Sequence, residues 1–162
     1  MKRIEEKLGY LLRRWGATIS VAESCTGGLI AHRITNVSGS SDYFESGVVS
    51  YTNQAKAELL GVPLSLIDQY GPVSEKVART MAEGIRGKRK TTIGLATTGV
   101  AGPLGGTPET SVGTVFIALA YPGETVVRRF RFTGRRAKIK RLAAEKALEM
   151  VLEYSPAYER KG

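Results

Sequence analysis

The sequence of 162 residues contains one cysteine, one histidine and one tryptophan. A lone cysteine, Cys25, excludes an intramolecular disulfide, and one cysteine with one histidine cannot supply the three or four ligands of a soft-ligand zinc site. His32 is the only imidazole that a Ser/His/Asp triad could use. No apolar run approaches the roughly 20 residues that span a bilayer, and the charged N-terminus has no apolar signal core after it. The expectation is a cytoplasmic chain without a membrane segment.

Acidic residues are also scarce, 15 against 24 Lys and Arg, so the formal net charge is +9. Most of the excess lies in one place: residues 128–141 hold eight basic side chains and no acidic one. Such a surplus suits nucleic acid, a phosphorylated small molecule or plain solubility. Within it Phe130 and Phe132 alternate with Arg129 and Arg131, a period of two that predicts aromatics toward the core and arginines toward water. That pattern disfavours stacking on bases, so a nucleic-acid partner is not expected.

With 42% hydrophobic and 24% charged residues the composition is that of a globular protein. A chain of this length buries about two-thirds of its unfolded surface in one domain. A single domain over residues 1–162 is therefore expected, with no repeat and no linker.

Helical spacing of apolar residues predicts helices over 4–15, from Leu29, up to Leu60, after Ser74 and after Gly134. Thr52 or Asn53 and Ser74 stand as N-caps, and Gly16 and Gly61 as stops. Strands are predicted over 17–22, 43–51, 91–98, 112–121 and 124–132, the last two forming a hairpin through Pro122-Gly123. Helices alternating with strands before a late hairpin imply a three-layer α/β/α domain with a mixed, mostly parallel sheet.

Ligands of open α/β sheets bind where loops leave the carboxyl ends of strands. Two such ends run into glycine-rich loops, Glu23-Ser24-Cys25-Thr26-Gly27-Gly28 and Thr98-Gly99-Val100-Ala101-Gly102. Strand, small-residue turn and helix is a geometry that aims backbone N–H groups at an anion. Between the loops, residues 38–56 are rich in hydroxyls and end at Lys56. With so little imidazole available, the base for a serine nucleophile is a lysine of lowered pKa, and Lys56 is the candidate. Cys25 reads as a packing group, and His32, two helical turns on, does not reach it.

These motifs resemble the CinA C-terminal domain family. The resemblance runs from about residue 4 to 153 and rests on Glu23-Ser24-Cys25-Thr26-Gly27-Gly28, Gly39-Ser40-Ser41, Gly47-Val48-Val49-Ser50-Tyr51 with Lys56, Gly71-Pro72-Val73-Ser74-Glu75, and Thr98-Gly99-Val100-Ala101-Gly102-Pro103. It implies the domain standing alone, a three-layer α/β/α fold, and a nicotinamide-nucleotide amidohydrolase that converts nicotinamide mononucleotide (NMN) and water to nicotinate mononucleotide and ammonia. It further implies a Ser/Lys dyad, no metal and no cofactor. On this resemblance Ser41 is expected as nucleophile and Lys56 as base. Tyr51 is expected to orient the dyad or pass a proton, and Ser24 stands as the second choice of nucleophile. Thr26, Gly27, Gly28, Thr98, Gly99, Gly102 and Arg136 are expected to bind substrate. Departures from the family pattern fall at Leu104, Arg135 and Lys140, around the expected substrate rim. The alternative they suggest is a diverged nucleotide-binding domain without catalysis. A homo-oligomer is expected as well.

Overall fold

The computed structural model describes residues 1–154, and the last eight positions of the domain read over 1–162 lie outside the described residues. The elements in chain order are α1 (Ile4–Trp15), β1 (Ile19–Glu23), α2 (Leu29–Thr35), a 3-10 turn (Ser40–Asp42), β2 (Phe44–Val49), α3 (Asn53–Leu60), α4 (Leu64–Tyr70), α5 (Glu75–Arg89), β3 (Ile93–Gly99), β4 (Thr114–Tyr121), β5 (Glu124–Arg131) and α6 (Arg136–Glu153). The five strands form one mixed sheet in the order β2-β1-β3-β4-β5. β1 pairs in parallel with both β2 and β3, and β4 is antiparallel to β3 and β5. Four of the five strands therefore run in one direction, with β4 the exception.

The two faces of the sheet differ in side-chain size. One presents Ile19, Val21, Ile93, Leu95, Val115, Ile117 and Leu119 to α1, α2 and α6. The other presents Ala22, Ala96, Ala118 and Ala120 to α3, α4 and α5. Large branched residues hold the first layer of helices off the sheet, whereas the alanine face lets α5 come close. Gly94 of β3 shows how close: a methyl there would overlap the Ala82 carbonyl and press on the Arg86 side chain. Phe130 and Phe132 stack at 5.6 Å and pack against the core, and Arg129 and Arg131 are exposed, as the alternation predicted.

Connections leave the carboxyl edge of the sheet toward both layers, β1 into α2 on one side and β2 into α3 on the other. Diverging connections open a crevice at that edge. α3 is fixed there from both ends. Thr52 Oγ1 accepts the Ala55 N–H at 3.0 Å as N-cap, and Gly61 closes the helix in the left-handed region. Against its last turn packs Gly84 of α5, where an added methyl would overlap the Leu60 carbonyl. Gly84→Ala is expected to destabilise the domain by about 1–3 kcal/mol, the usual cost of overpacking. Denaturant unfolding would measure it, and an unchanged midpoint would contradict this close approach. Among the described residues no helix is long and apolar enough to cross a membrane.

Candidate active site

Ser24 is the first residue beyond β1, and its N–H donates to the Thr97 carbonyl on β3 at 3.1 Å. Lys56 lies one turn into α3, on the face turned to the sheet, and is only 2% exposed. Its Nζ lies 3.1 Å from Ser24 Oγ, 3.0 Å from the Ser50 carbonyl and 3.3 Å from the Tyr51 carbonyl. A neutral amine has two N–H donors and one lone pair. The two carbonyls would take those two N–H groups and leave the lone pair toward the Ser24 hydroxyl, whereas the charged amine donates to all three oxygens. No carboxylate pairs with Lys56 among the described residues. Burial accordingly pushes its amine below the ordinary 10.5, because the charged form is the one that loses hydration.

The pair opens into a cleft of about 270 Å³. One wall is polar: Ser24, Lys56, Tyr51 and Thr98. Pro72, Val73, Val100 and Leu104 line it with apolar groups. At the rim Arg136, the first residue of α6, donates through Nη1 to the Gly102 carbonyl and through Nη2 to Tyr51 Oη, both at 2.8 Å. Thr98 is buried and donates to the Pro72 carbonyl at 2.7 Å, tying the end of β3 to the entry of α5.

Of the residues singled out from sequence, Lys56, Tyr51, Ser24, Thr98, Gly99, Gly102 and Arg136 line this one cleft. Ser41 is not among them. It is exposed in the 3-10 turn that enters β2, whereas Lys56 follows the opposite end of that strand. Six strand residues at about 3.3 Å each separate the two ends by roughly 20 Å. The expected pairing of Ser41 with Lys56 is therefore not formed, and the serine beside the amine is Ser24, the second choice from sequence, because the loop after β1, and not the turn before β2, reaches α3.

Three other expected binding residues also move. Thr26 is fully buried beneath the loop, its hydroxyl spent on Glu23 and Thr97. Gly27 and Gly28 face a separate shallow hollow with His32 and Lys140. The helix N-terminus after the first glycine loop does not await an external anion either. The Glu23 carboxylate already accepts the Ile30 and Ala31 N–H groups at 2.9 and 3.1 Å. Glu23 was not assigned a role from sequence, and the signal was there: a carboxylate closing a strand otherwise free of charge, one residue before Ser24.

Cys25 lines the cleft floor, and burial pushes its thiol up to about 12. A thiol-alkylating reagent at about pH 8 should leave the native protein unmodified and label it once after denaturation. Rapid native labelling would contradict this burial.

With the geometry in place, comparison with known proteins gives a consistent result. The family model described as "CinA C-terminal domain" matches residues 1–155. The chain belongs to this family. A CinA-like protein of Syntrophus aciditrophicus is 50% identical over 155 residues, covering 95% of this chain and 37% of the relative. One of Salinibacter ruber is 52% identical over 146 residues, covering 90% and 35%. This CinA C-terminal domain thus spans little more than a third of the length of those relatives. Among solved structures, the competence/damage inducible protein CihA of Agrobacterium tumefaciens superposes with TM-score 0.90 at 36% identity, covering 93% of this chain and 92% of that one. A competence or damage-inducible protein of Enterobacter asburiae gives 0.91 at 31%, covering 94% and 96%.

Proposed function

We propose that this CinA C-terminal domain is a serine amidohydrolase that removes ammonia from the carboxamide of NMN. The observation that carries the reading is the 3.1 Å contact between Ser24 Oγ and a buried lysine amine with two backbone acceptors and, among the described residues, no acidic partner.

In this mechanism the lone pair of Lys56 takes the Ser24 proton as Oγ bonds to the amide carbon. The resulting oxyanion is held by backbone N–H groups. Cys25, the residue after the nucleophile, lines the same cleft, and its N–H has no backbone acceptor among the described residues. Collapse of the oxyanion breaks the C–N bond, and the Lys56 ammonium returns its proton to the leaving nitrogen, releasing ammonia. Water then attacks the acyl ester with Lys56 as base, the C–Oγ bond breaks, and the proton restores the Ser24 hydroxyl.

Substrate class follows from the remaining lining. Pro72, Val73, Val100 and Leu104 offer apolar surface to a planar ring, and Arg136 offers a guanidinium to a phosphate, which would compete with Tyr51 Oη and the Gly102 carbonyl. A cleft of about 270 Å³ lies at the small end of ligand sites, about 300–1,000 Å³, and favours a mononucleotide over a dinucleotide. Incubation of the purified domain with NMN, read by coupled ammonia release and by chromatography of nicotinate mononucleotide, tests this. Ammonia with equimolar nicotinate mononucleotide supports the proposal. Thermal stabilisation by NMN without turnover would overturn it in favour of a nucleotide-binding domain.

A further inference from the structure

Glu23 is 1% exposed. Oε1 accepts the Thr26 hydroxyl at 2.7 Å and the Ile30 N–H at 2.9 Å, and Oε2 accepts the Ala31 N–H at 3.1 Å. Since Thr26 gives its only proton to the carboxylate, the 2.8 Å contact between Thr26 and Thr97 has Thr97 as donor. The main chain is held in the same place. The Glu23 carbonyl accepts the Ser50 N–H at 2.9 Å, and the Thr97 carbonyl accepts the Ser24 N–H at 3.1 Å. Ser24 therefore sits in a four-residue reversal whose two ends, Glu23 and Thr26, are bonded to each other and to the ends of both neighbouring strands.

Ordinary capping of α2 would need only the two N–H contacts. The Thr26 hydroxyl, turned inward onto the same carboxylate oxygen, is what closes the reversal around Ser24. We infer that Glu23 is a positioning residue for Ser24: its buried carboxylate, through Thr26 and the start of α2, holds the loop so that Oγ meets Lys56 Nζ. The kinetic part of this inference rests on the proposed hydrolysis, but the geometric part stands without it.

Glu23→Gln keeps the size and one acceptor but turns an NH2 group toward the Ala31 N–H. Thr26→Val removes the hydroxyl at constant shape, and Thr26→Ser restores it. Loss of alignment by an ångström costs on the order of 10²-fold in rate. Glu23→Gln and Thr26→Val should therefore lower kcat by about 10–100-fold with KM nearly unchanged, and Thr26→Ser should keep kcat close to that of the parent. Both losses should be non-additive in the double variant, because the groups act in one chain. A crystal structure of Glu23→Gln supplies a readout that needs no activity. Lengthening of the Ser24 Oγ to Lys56 Nζ contact well beyond 3.1 Å supports the inference, and its retention overturns it. A lowered melting temperature with kcat retained would also overturn it, leaving Glu23 as a helix cap. Should Glu23→Gln fail to fold, the Thr26→Val and Thr26→Ser pair decides by the same kinetic and structural criteria. If the parent protein releases no ammonia from NMN, the proposed function fails, and the Oγ–Nζ separation alone still judges Glu23.

Discussion

Ser24→Ala and Lys56→Ala should each abolish ammonia release from NMN, lowering kcat by at least roughly 10²–10⁴-fold, while Ser41→Ala should leave it within about twofold. The contrast comes from the carboxyl edge of the sheet: Ser24 Oγ is 3.1 Å from Lys56 Nζ, and Ser41 is exposed at the far end of β2. Truncating Lys56 also leaves the Ser50 and Tyr51 carbonyls without their donor, at a cost of about 1–3 kcal/mol for a buried polar group left unpaired. Melting curves must therefore accompany the kinetics, and assays belong well below the variant's midpoint. Lys56→Arg separates charge from basicity, because a guanidinium donates hydrogen bonds but does not give up its proton. It should be as inactive as Lys56→Ala. Full activity in Ser24→Ala, or its loss in Ser41→Ala, would return the nucleophile to Ser41 and refute the dyad drawn here.

Catalytic efficiency should rise with pH through a single ionisation below the ordinary lysine value of 10.5 and level off above it, since only the neutral amine accepts the Ser24 proton. The same shift predicts the direction of a stability change. Folded protein releases the Lys56 proton at a lower pH than the unfolded chain does. Between the lowered value and 10.5 the unfolded state binds more protons, so this group makes stability rise with pH. Below that window the charged amine is buried in the folded state and stability stays on its lower plateau. A profile of kcat/KM over about pH 6 to 10, with melting temperatures of parent and Lys56→Met at the same points, checks both signs. A rate that falls with pH across the window would contradict a basic role for Lys56. A melting difference between the two proteins that does not change with pH would contradict the lowered ionisation.

Much of the fold could be read locally. The apolar stripe over 4–15 and the left-handed Gly16 bound α1 to the residue, and the Thr52 and Ser74 caps marked the starts of α3 and α5. These signals work because capping and amphipathic spacing are properties of adjacent residues. α4 escaped notice for the same reason. Its seven residues bury only Ile67 and have no side-chain cap, so it carries no stripe to detect and exists by packing on α5.

Sequence by itself limited what any hydrolytic chemistry in this protein could rest on. One histidine and one cysteine left serine and lysine, and the motif residues around Ser24, Tyr51, Lys56, Thr98 and Arg136 pointed to the site. Only the tertiary structure decided which serine meets the lysine. Ser41 is the nearer of the two along the chain, but β1 and β2 lie side by side in parallel, so the loop leaving β1 and the helix leaving β2 share one edge of the sheet. The same folding filled the start of α2 with Glu23, turning an expected anion site into the support beneath Ser24. Pairing of β1 with β2 is a non-local choice, and that choice set the distance between Ser24 and Lys56.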